Sequence, residues 1–209
     1  MKKLILLSGF FFAVLLLGGC LTTLHPIFTI KDLIADARLA GSWKKTKDGS
    51  TATYRHANAA ELKALSPELQ SQADKIYVLE DRNAEGNIEV THYAFMVKLG
   101  KYYYMDYYPV GTEEKEAPGN FFTAHYIPMH SIYRIKFNSN NSFDIQQLDA
   151  GYLEKLIQNK QVRLRHEVSD NGDYIITAST EELQQYLIKY SDVPEAYNND
   201  NSSTYTRIN

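Results

Sequence analysis

Hydrophobic and polar residues alternate along most of the chain between residues 41 and 148. The clearest stretch places Tyr133, Ile135 and Phe137 on one face and Arg134 and Lys136 on the other. A period of two is typical of a β-strand that is buried on one side. Turn residues separate such stretches from one another. They predict a first strand that begins at Gly41 and further strands at residues 51–56, 76–81, 88–99, 101–108, 121–127, 130–137 and 142–148.

Two later segments have the period of amphipathic helices instead. Asp149 is the predicted N-cap of the first, and Ser179 with Glu182 has the spacing of a capping box for the second. Between them, residues 162–168 and 174–178 predict a hairpin about Asn171-Gly172. The apolar residues at helical spacing are Tyr152, Leu153, Leu156 and Ile157 in the first helix, and Leu183, Tyr186, Leu187 and Tyr190 in the second.

Shorter helices are predicted before the meander. Asn58 is a suitable N-cap, and Ser66-Pro67 begins a second turn. The spacing of Leu33, Ile34 and Ala37 predicts another short helix within residues 30–40. Eight or nine strands with few helices indicate a mainly β (α+β) protein, with an antiparallel sheet closed or nearly closed on itself.

The N-terminus has the order of a secretory signal: two lysines, an apolar run from Leu4 to Leu17, and two glycines before Cys20. The segment Leu17-Gly18-Gly19-Cys20 resembles the lipobox of bacterial lipoproteins. The resemblance implies cleavage before Cys20 and acylation of its thiol, for example with palmitate, so that membrane lipid is the first expected partner. An ordinary secreted protein with a free Cys20 is the alternative. Since Leu21 is not acidic, the resemblance favours the outer membrane, facing the periplasm, over the inner membrane.

These features divide the chain into a signal peptide at residues 1–19, a lipidated N-terminus and linker at 20–40, an antiparallel β domain at 41–191 and a polar, partly disordered tail at 192–209. The net charge of −3 does not indicate the basic surface that binds phosphate backbones, so we expect no nucleic-acid partner. One cysteine excludes a disulfide within the chain. Tyrosine is unusually frequent, with 16 residues, and it suits half-buried sheet surfaces, a ligand cavity or a docking face.

Gly41-Ser42-Trp43, near the start of the meander, is similar to the G-x-W of the lipocalin superfamily, and Asp106-Tyr107 is faintly similar to its later T-D-Y. The resemblance implies a lipocalin-like barrel, in which Arg134 is the candidate for the closing arginine. A single antiparallel meander sheet is the alternative architecture. For a barrel that holds a ligand, the candidate ligand-binding residues are Trp43, Tyr102, Tyr104 and Asp106.

A second resemblance covers most of the mature chain. Its motifs are similar to those of a family of uncharacterised bacterial envelope lipoproteins, which implies an architecture but no activity. The matching segments are Leu24-His25-Pro26, Lys31-Asp32, Met105-Asp106-Tyr107-Tyr108-Pro109, His125-Tyr126-Ile127-Pro128-Met129-His130, Leu148-Asp149, His166-Glu167 and Thr177-Ala178-Ser179-Thr180-Glu181-Glu182-Leu183-Gln184.

The sequence contains no G-x-S-x-G, no H-E-x-x-H and no glycine-rich phosphate loop. We therefore assign no catalytic residue, no cofactor and no metal ligand. Acid–base candidates remain in Asp106 and four histidines, of which His92, His125 and His130 form a hypothetical metal site and His166 is better explained as a core residue.

Three functions remain open. The sequence favours a non-catalytic interaction or assembly module of the cell envelope, whose partner is an envelope protein. The first alternative is a lipocalin-like carrier of a small apolar ligand, which predicts an internal cavity of a few hundred cubic ångströms, lined by tyrosine and phenylalanine. The second is a hydrolase or metal-dependent enzyme, which requires the histidines and Asp106 to meet in one cleft.

Overall fold

A computed structural model describes residues 21–111 and 127–208, with only the backbone described at 198–201. Its strands are β1 (Thr22–Thr23), β2 (Leu33–Ile34), β3 (Gly41–Lys45), β4 (Thr51–His56), β5 (Ile76–Arg82), β6 (Ile88–Leu99), β7 (Tyr102–Pro109), β8 (His130–Ser139), β9 (Ser142–Leu148), β10 (His166–Val168), β11 (Tyr174–Ile176) and β12 (Tyr197–Arg207). Its helices are α1 (Ala59–Lys63), α2 (Pro67–Gln70), α3 (Ala150–Gln158) and α4 (Thr180–Lys189). The strand predicted at 121–127 lies outside the described residues, except for Ile127.

Eight of these strands form a closed antiparallel barrel in the order β3-β4-β5-β6-β7-β8-β9-β12, with β12 paired back to β3. The predicted mainly β fold, in its lipocalin-like barrel form, is therefore confirmed. Seven strands follow one another as a meander, whereas α3, the β10-β11 hairpin and α4 separate β9 from β12. Closure gives every barrel strand a hydrogen-bonded neighbour on both sides over at least part of its length.

The prediction of a polar, partly disordered tail at 192–209 is wrong for most of its length, because Tyr197–Arg207 is the strand that closes the barrel. This segment is rich in Asn and Ser, which have low strand propensity. The free edges of β3 and β9 supply ladder partners that compensate for the low propensity: Tyr205 pairs with Lys45 on one side and Phe143 on the other. A tertiary constraint thus determines the structure of β12.

The inside of the barrel is filled at the end where β3 and β9 begin, which we call the closed end. Trp43, Met96, Met105 and Phe143 are fully buried there. The Trp43 ring lies 4.5 Å from that of Phe143, and its Nε1 donates to Leu39 O at 2.9 Å. These large side chains pack the interior of the barrel at this end.

Arg207, at the end of β12, completes the closed end. Its guanidinium lies 4.2 Å from the Trp43 ring centroid and donates to Ala40 O at 2.9 Å and to Arg38 O at 2.7 Å. The assignment of the closing role to Arg134 is therefore wrong. Arg134 is on the outer face of β8, where it stacks on Tyr197 at 3.6 Å and donates to Gln146 Oε1.

A second apolar layer covers the outer face of β5 to β8. It contains α3, α4 and the N-terminal segment, with Ile27, Leu33, Leu153 and Leu183 among its buried residues. Residues 21–40 are thus an integral part of the domain, not a linker. The helix predicted within 30–40 is replaced by β2, because β5 begins opposite Phe95 and leaves the last part of β6 with a free edge for Leu33 and Ile34.

The other predicted helix starts are confirmed. Asn58 and Ser179 each cap their helix through a full capping box, and Asp149 accepts from Tyr152 N at 2.7 Å. The predicted hairpin about Asn171-Gly172 is present, although its strands, β10 and β11, are shorter than the pattern suggested. Gly172 supplies the positive φ of 87° that this turn requires.

Candidate functional site

A cavity of about 450 Å³ occupies the barrel at its other end, the open end, where β5, β7 and β9 finish and β6 and β8 begin. Side chains from all eight barrel strands contribute to its wall. They are Lys45, Tyr54, Leu79, Asp81, Val90, His92, Tyr107, Ser131, Tyr133, Ile145, Gln147, Ser203 and Tyr205.

The cavity exists because inward-facing side chains become smaller towards the open end. Along β8 the inward positions run from Phe137 and Ile135 at the closed end to Tyr133 and then Ser131. On β12 the inward neighbour of Tyr205 is Ser203. Because successive residues of a strand alternate between the two faces, these serines occupy positions that a large side chain would otherwise fill.

Four tyrosines provide most of the aromatic wall. The hydroxyls of Tyr54 and Tyr107 lie 2.6 Å apart, and the Tyr107 ring packs edge-on against Tyr133 at a centroid distance of 5.4 Å. Burial raises the pKa of Tyr54, Tyr107 and Tyr205, and the nearby Asp81 carboxylate raises it further. The phenols therefore stay neutral, and they offer O–H groups and ring faces to a ligand.

Asp81 is the acidic group of the cavity. Burial raises its pKa, and the Lys45 ammonium opposes this rise without forming an ion pair with it. Lys45 is instead paired with Asp48 at 3.3 Å. Burial lowers the pKa of His92, the other titratable side chain in the wall, so its imidazole tends to be neutral. The ionised form of Asp81 therefore has no directly paired cation within residues 21–111 and 127–208.

Gln147 presents an unsatisfied amide in the same wall. The residue is only 4% exposed, and its Nε2 has no hydrogen-bond partner among the described residues. A buried donor that is left unpaired costs about 1–3 kcal/mol. Its neighbour Gln146, on the outer face of β9, accepts two hydrogen bonds from Arg134. Gln146 thus has a partner for its side-chain amide, whereas the Gln147 Nε2 has none among the described residues, which makes Gln147 a candidate for contact with a bound molecule.

The structure separates the four candidate ligand-binding residues of the sequence analysis, and none of them lines this cavity. Trp43 is inside the barrel but in the closed end. Tyr102, Tyr104 and Asp106 share the outward face of β7, where the Tyr104 hydroxyl lies 3.2 Å from that of Tyr197. Cys20 lies outside the described residues.

Asp106 and His130 form a buried pair beneath the N-terminal segment. The Asp106 carboxylate accepts from Ile27 N at 2.9 Å and lies 2.6 Å from His130 Nδ1. Burial raises the pKa of Asp106, while the bonds from His130 and Ile27 act in the opposite direction. The pair fastens the N-terminal segment to the barrel wall.

The hypothetical site of three histidines is not assembled in the described part of the chain. His92 faces into the barrel, His130 faces outward, and His125 lies outside the described residues. His166 is half-buried, with Nδ1 2.8 Å from Leu164 O. Residues 21–111 and 127–208 contain no group of three His, Cys or acidic side chains arranged to hold a metal ion.

A larger cleft, of about 740 Å³, lies outside the barrel between the N-terminal segment and α2. Its wall is mainly apolar, with Leu24, Phe28, Leu65 and Tyr108 among its residues. The His130 ring in its wall is already held by Asp106. The barrel cavity is the better candidate site because it alone combines this unsatisfied amide with an unpaired carboxylate among the described residues.

Comparison with known proteins adds no further assignment, because no family model, curated protein or solved structure matches the chain. Within the described residues, none of the helices has both the length and the apolar character needed to cross a bilayer.

Proposed function

We propose that this protein is a lipid-anchored protein of the bacterial envelope that binds a small, partly apolar molecule inside its barrel. The observation that supports this proposal is the cavity of about 450 Å³ at the open end, with four tyrosines in its wall. Cavities of about 300–1,000 Å³ with apolar walls and a few polar groups are typical of small-molecule sites. We prefer this function to that of a pure interaction module, which does not require an internal cavity.

The unsatisfied Gln147 amide supports the same function. A side chain that lowers stability in the empty protein is typical of a site that exists for a ligand. A bound molecule with an oxygen acceptor near Gln147 would satisfy its Nε2 and recover the lost hydrogen-bond energy.

We expect the Gln147→Leu variant to be more stable than the wild type in the empty state, by about 1–2 kcal/mol, because it removes an unpaired buried donor. The same variant should retain less of any small molecule that copurifies with the protein. The measurements are urea denaturation of ligand-free protein and native mass spectrometry of full-length protein, purified from its own host and kept soluble in a non-ionic amphipol.

Gln146→Leu is the matched control, since it changes the adjacent residue on the outer face. It removes the acceptor of two Arg134 hydrogen bonds, so it should lower stability and leave ligand retention unchanged. A wild-type protein that is empty when isolated, combined with a Gln147→Leu variant that is no more stable, would contradict the proposed binding function.

The proposed anchor predicts a separate result for Cys20. Replacing Cys20 with Ser removes the thiol that the lipobox resemblance marks for acylation. Because the acceptor thiol is missing, we expect the variant to lose incorporation of radiolabelled palmitate. Two or three acyl chains are needed for lasting attachment, so the variant also lacks a lipid anchor. Wild-type protein should take up the label and fractionate with outer membranes. Equal labelling of both proteins would exclude Cys20 as the acylated residue.

A further inference from the structure

We infer that the barrel cavity selects an organic cation, meaning a protonated amine or quaternary ammonium group on a small apolar body. This inference rests on the proposed binding function and adds the chemical class of the ligand. It follows from the placement of one carboxylate, several aromatic rings and very little positive charge in the same cavity.

The carboxylate is that of Asp81, near the end of β5. It points into the barrel, because the inward positions of this strand are Tyr77, Leu79 and Asp81. It forms no ion pair with any described residue, although Lys45 is near enough to influence its ionisation. Its hydrogen-bond partner is the backbone of Arg82, so a bound cation would supply the ion-pair partner that the half-buried carboxylate lacks among the described residues.

Aromatic rings line the same cavity as this carboxylate. Tyr54, Tyr107 and Tyr205 line the cavity with Asp81, and the electrostatic influence of Asp81 reaches all three hydroxyls. Tyrosine faces attract ammonium groups through the ring quadrupole, most strongly where water is excluded. The same rings can pack against the apolar body of the ligand. A tyrosine-rich wall that contains one carboxylate therefore suits a cation with an apolar body.

The remaining charges near Asp81 also favour a cation. Asp48 and Glu89 lie close enough to raise its pKa and add negative potential at the open end. Lys45 is the competing positive charge, but its ammonium is engaged by Asp48 at 3.3 Å. His92 tends to be neutral because burial lowers its pKa. An anionic ligand would meet Asp81 without a free counter-charge in the described wall.

The test compares three probes of similar size: benzyltrimethylammonium, its uncharged isostere neopentylbenzene, and the anion phenylacetate. Binding to full-length protein in a non-ionic amphipol is measured by saturation-transfer NMR with competition. Wild-type protein should bind the cation roughly tenfold or more tightly than the isostere, and the anion least of all. The preference should fall in Asp81→Asn to what the tyrosine rings alone provide, and it should remain in full in the control variant Asp173→Asn, which changes an exposed turn residue.

Two further readouts do not depend on the folding of Asp81→Asn. Lys45→Met removes the competing charge and should strengthen binding of the cation. Cation binding to wild-type protein should also rise with pH through the pKa of Asp81, which burial places above its usual value, because the ionised carboxylate attracts the probe and the protonated carboxyl group does not.

The outcomes separate this inference from the proposed function. Equal binding of cation and isostere, or a cation preference that is undiminished in Asp81→Asn, would overturn the inference while leaving a ligand-binding barrel intact. Tighter binding of phenylacetate would overturn it in the same way. Failure of all three probes, together with an empty native protein, would reject both.

Discussion

Replacing Trp43 with Ala should lower the free energy of unfolding by about 3–5 kcal/mol, the range for removal of a fully buried large aromatic side chain. Trp43 is 0% exposed, and its ring contacts Phe143 on one side and the Arg207 guanidinium on another. The variant therefore loses apolar burial, leaves a void in the closed end and removes the surface on which Arg207 rests.

The measurement is urea denaturation followed by far-ultraviolet circular dichroism, because Trp43 is the only tryptophan and its fluorescence is lost in the variant. Trp43→Phe keeps an aromatic ring but loses the Nε1 hydrogen bond to Leu39 O, so it should cost less, about 1–3 kcal/mol. Ile88→Ala is the surface control: Ile88 is 51% exposed, and we expect a change within about 0.5 kcal/mol. A cost below about 1 kcal/mol for Trp43→Ala would show that this side chain does not support the closed end.

Replacing Asp106 with Ala should lower the free energy of unfolding by about 2–4 kcal/mol, because the Ile27 amide and the His130 ring both lose a buried hydrogen-bond acceptor. The variant leaves the fully buried Ile27 amide and the His130 ring, which lines the outer cleft, without their shared acceptor. Because Ile27 belongs to the N-terminal segment, this segment should detach before the barrel unfolds. Faster hydrogen exchange at the Ile27 amide would report the detachment.

Asp106→Asn keeps one acceptor oxygen, so its cost should be smaller, about 1–3 kcal/mol. Asp74→Asn is the matched control, since Asp74 is exposed and its replacement should have little effect. If the Ile27 amide exchanges at the same rate in Asp106→Ala as in the wild type, the buried pair does not hold the N-terminal segment.

The strands of the meander are predictable because each has its own period-two pattern and its own turn. The clean alternation from Tyr133 to Phe137 lies within β8, and the predicted bounds of β6 agree with those observed. The helix starts at Asn58, Asp149 and Ser179 are equally local, since a single capping side chain specifies each of them.

The elements that the sequence does not reveal are those that depend on distant partners. β12 lacks a hydrophobic run and becomes a strand because β3 and β9 leave two edges to be joined. β2 forms where β6 has a free edge, although its residues have helical spacing. Arg207 lies in the segment interpreted as a tail, so its contact with Trp43 was not accessible from local pattern.

The cavity residues were missed for a related reason. β7 is apolar on both faces, because one face lines the barrel and the other lies under α4, so its pattern does not show which tyrosines point inward. A signal did exist on the neighbouring strands. Asp81 follows Tyr77 and Leu79 at alternate positions, and Gln147 follows Phe143 and Ile145 in the same way. A polar residue at the end of an inward-facing apolar series indicates the wall of a polar cavity.

The pairing of β1 has a consequence for how a ligand would reach this protein. Thr22 pairs with Ser131, a residue of the cavity wall, and Cys20 precedes Thr22 by two residues in the sequence. With acyl chains on Cys20, the open end of the barrel would be held close to the bilayer surface and could not diffuse away from it. Ligand capture would then depend on the composition of the interfacial layer rather than on the bulk periplasm. A ligand that partitions weakly into the head groups would meet the cavity at a local concentration far above its average.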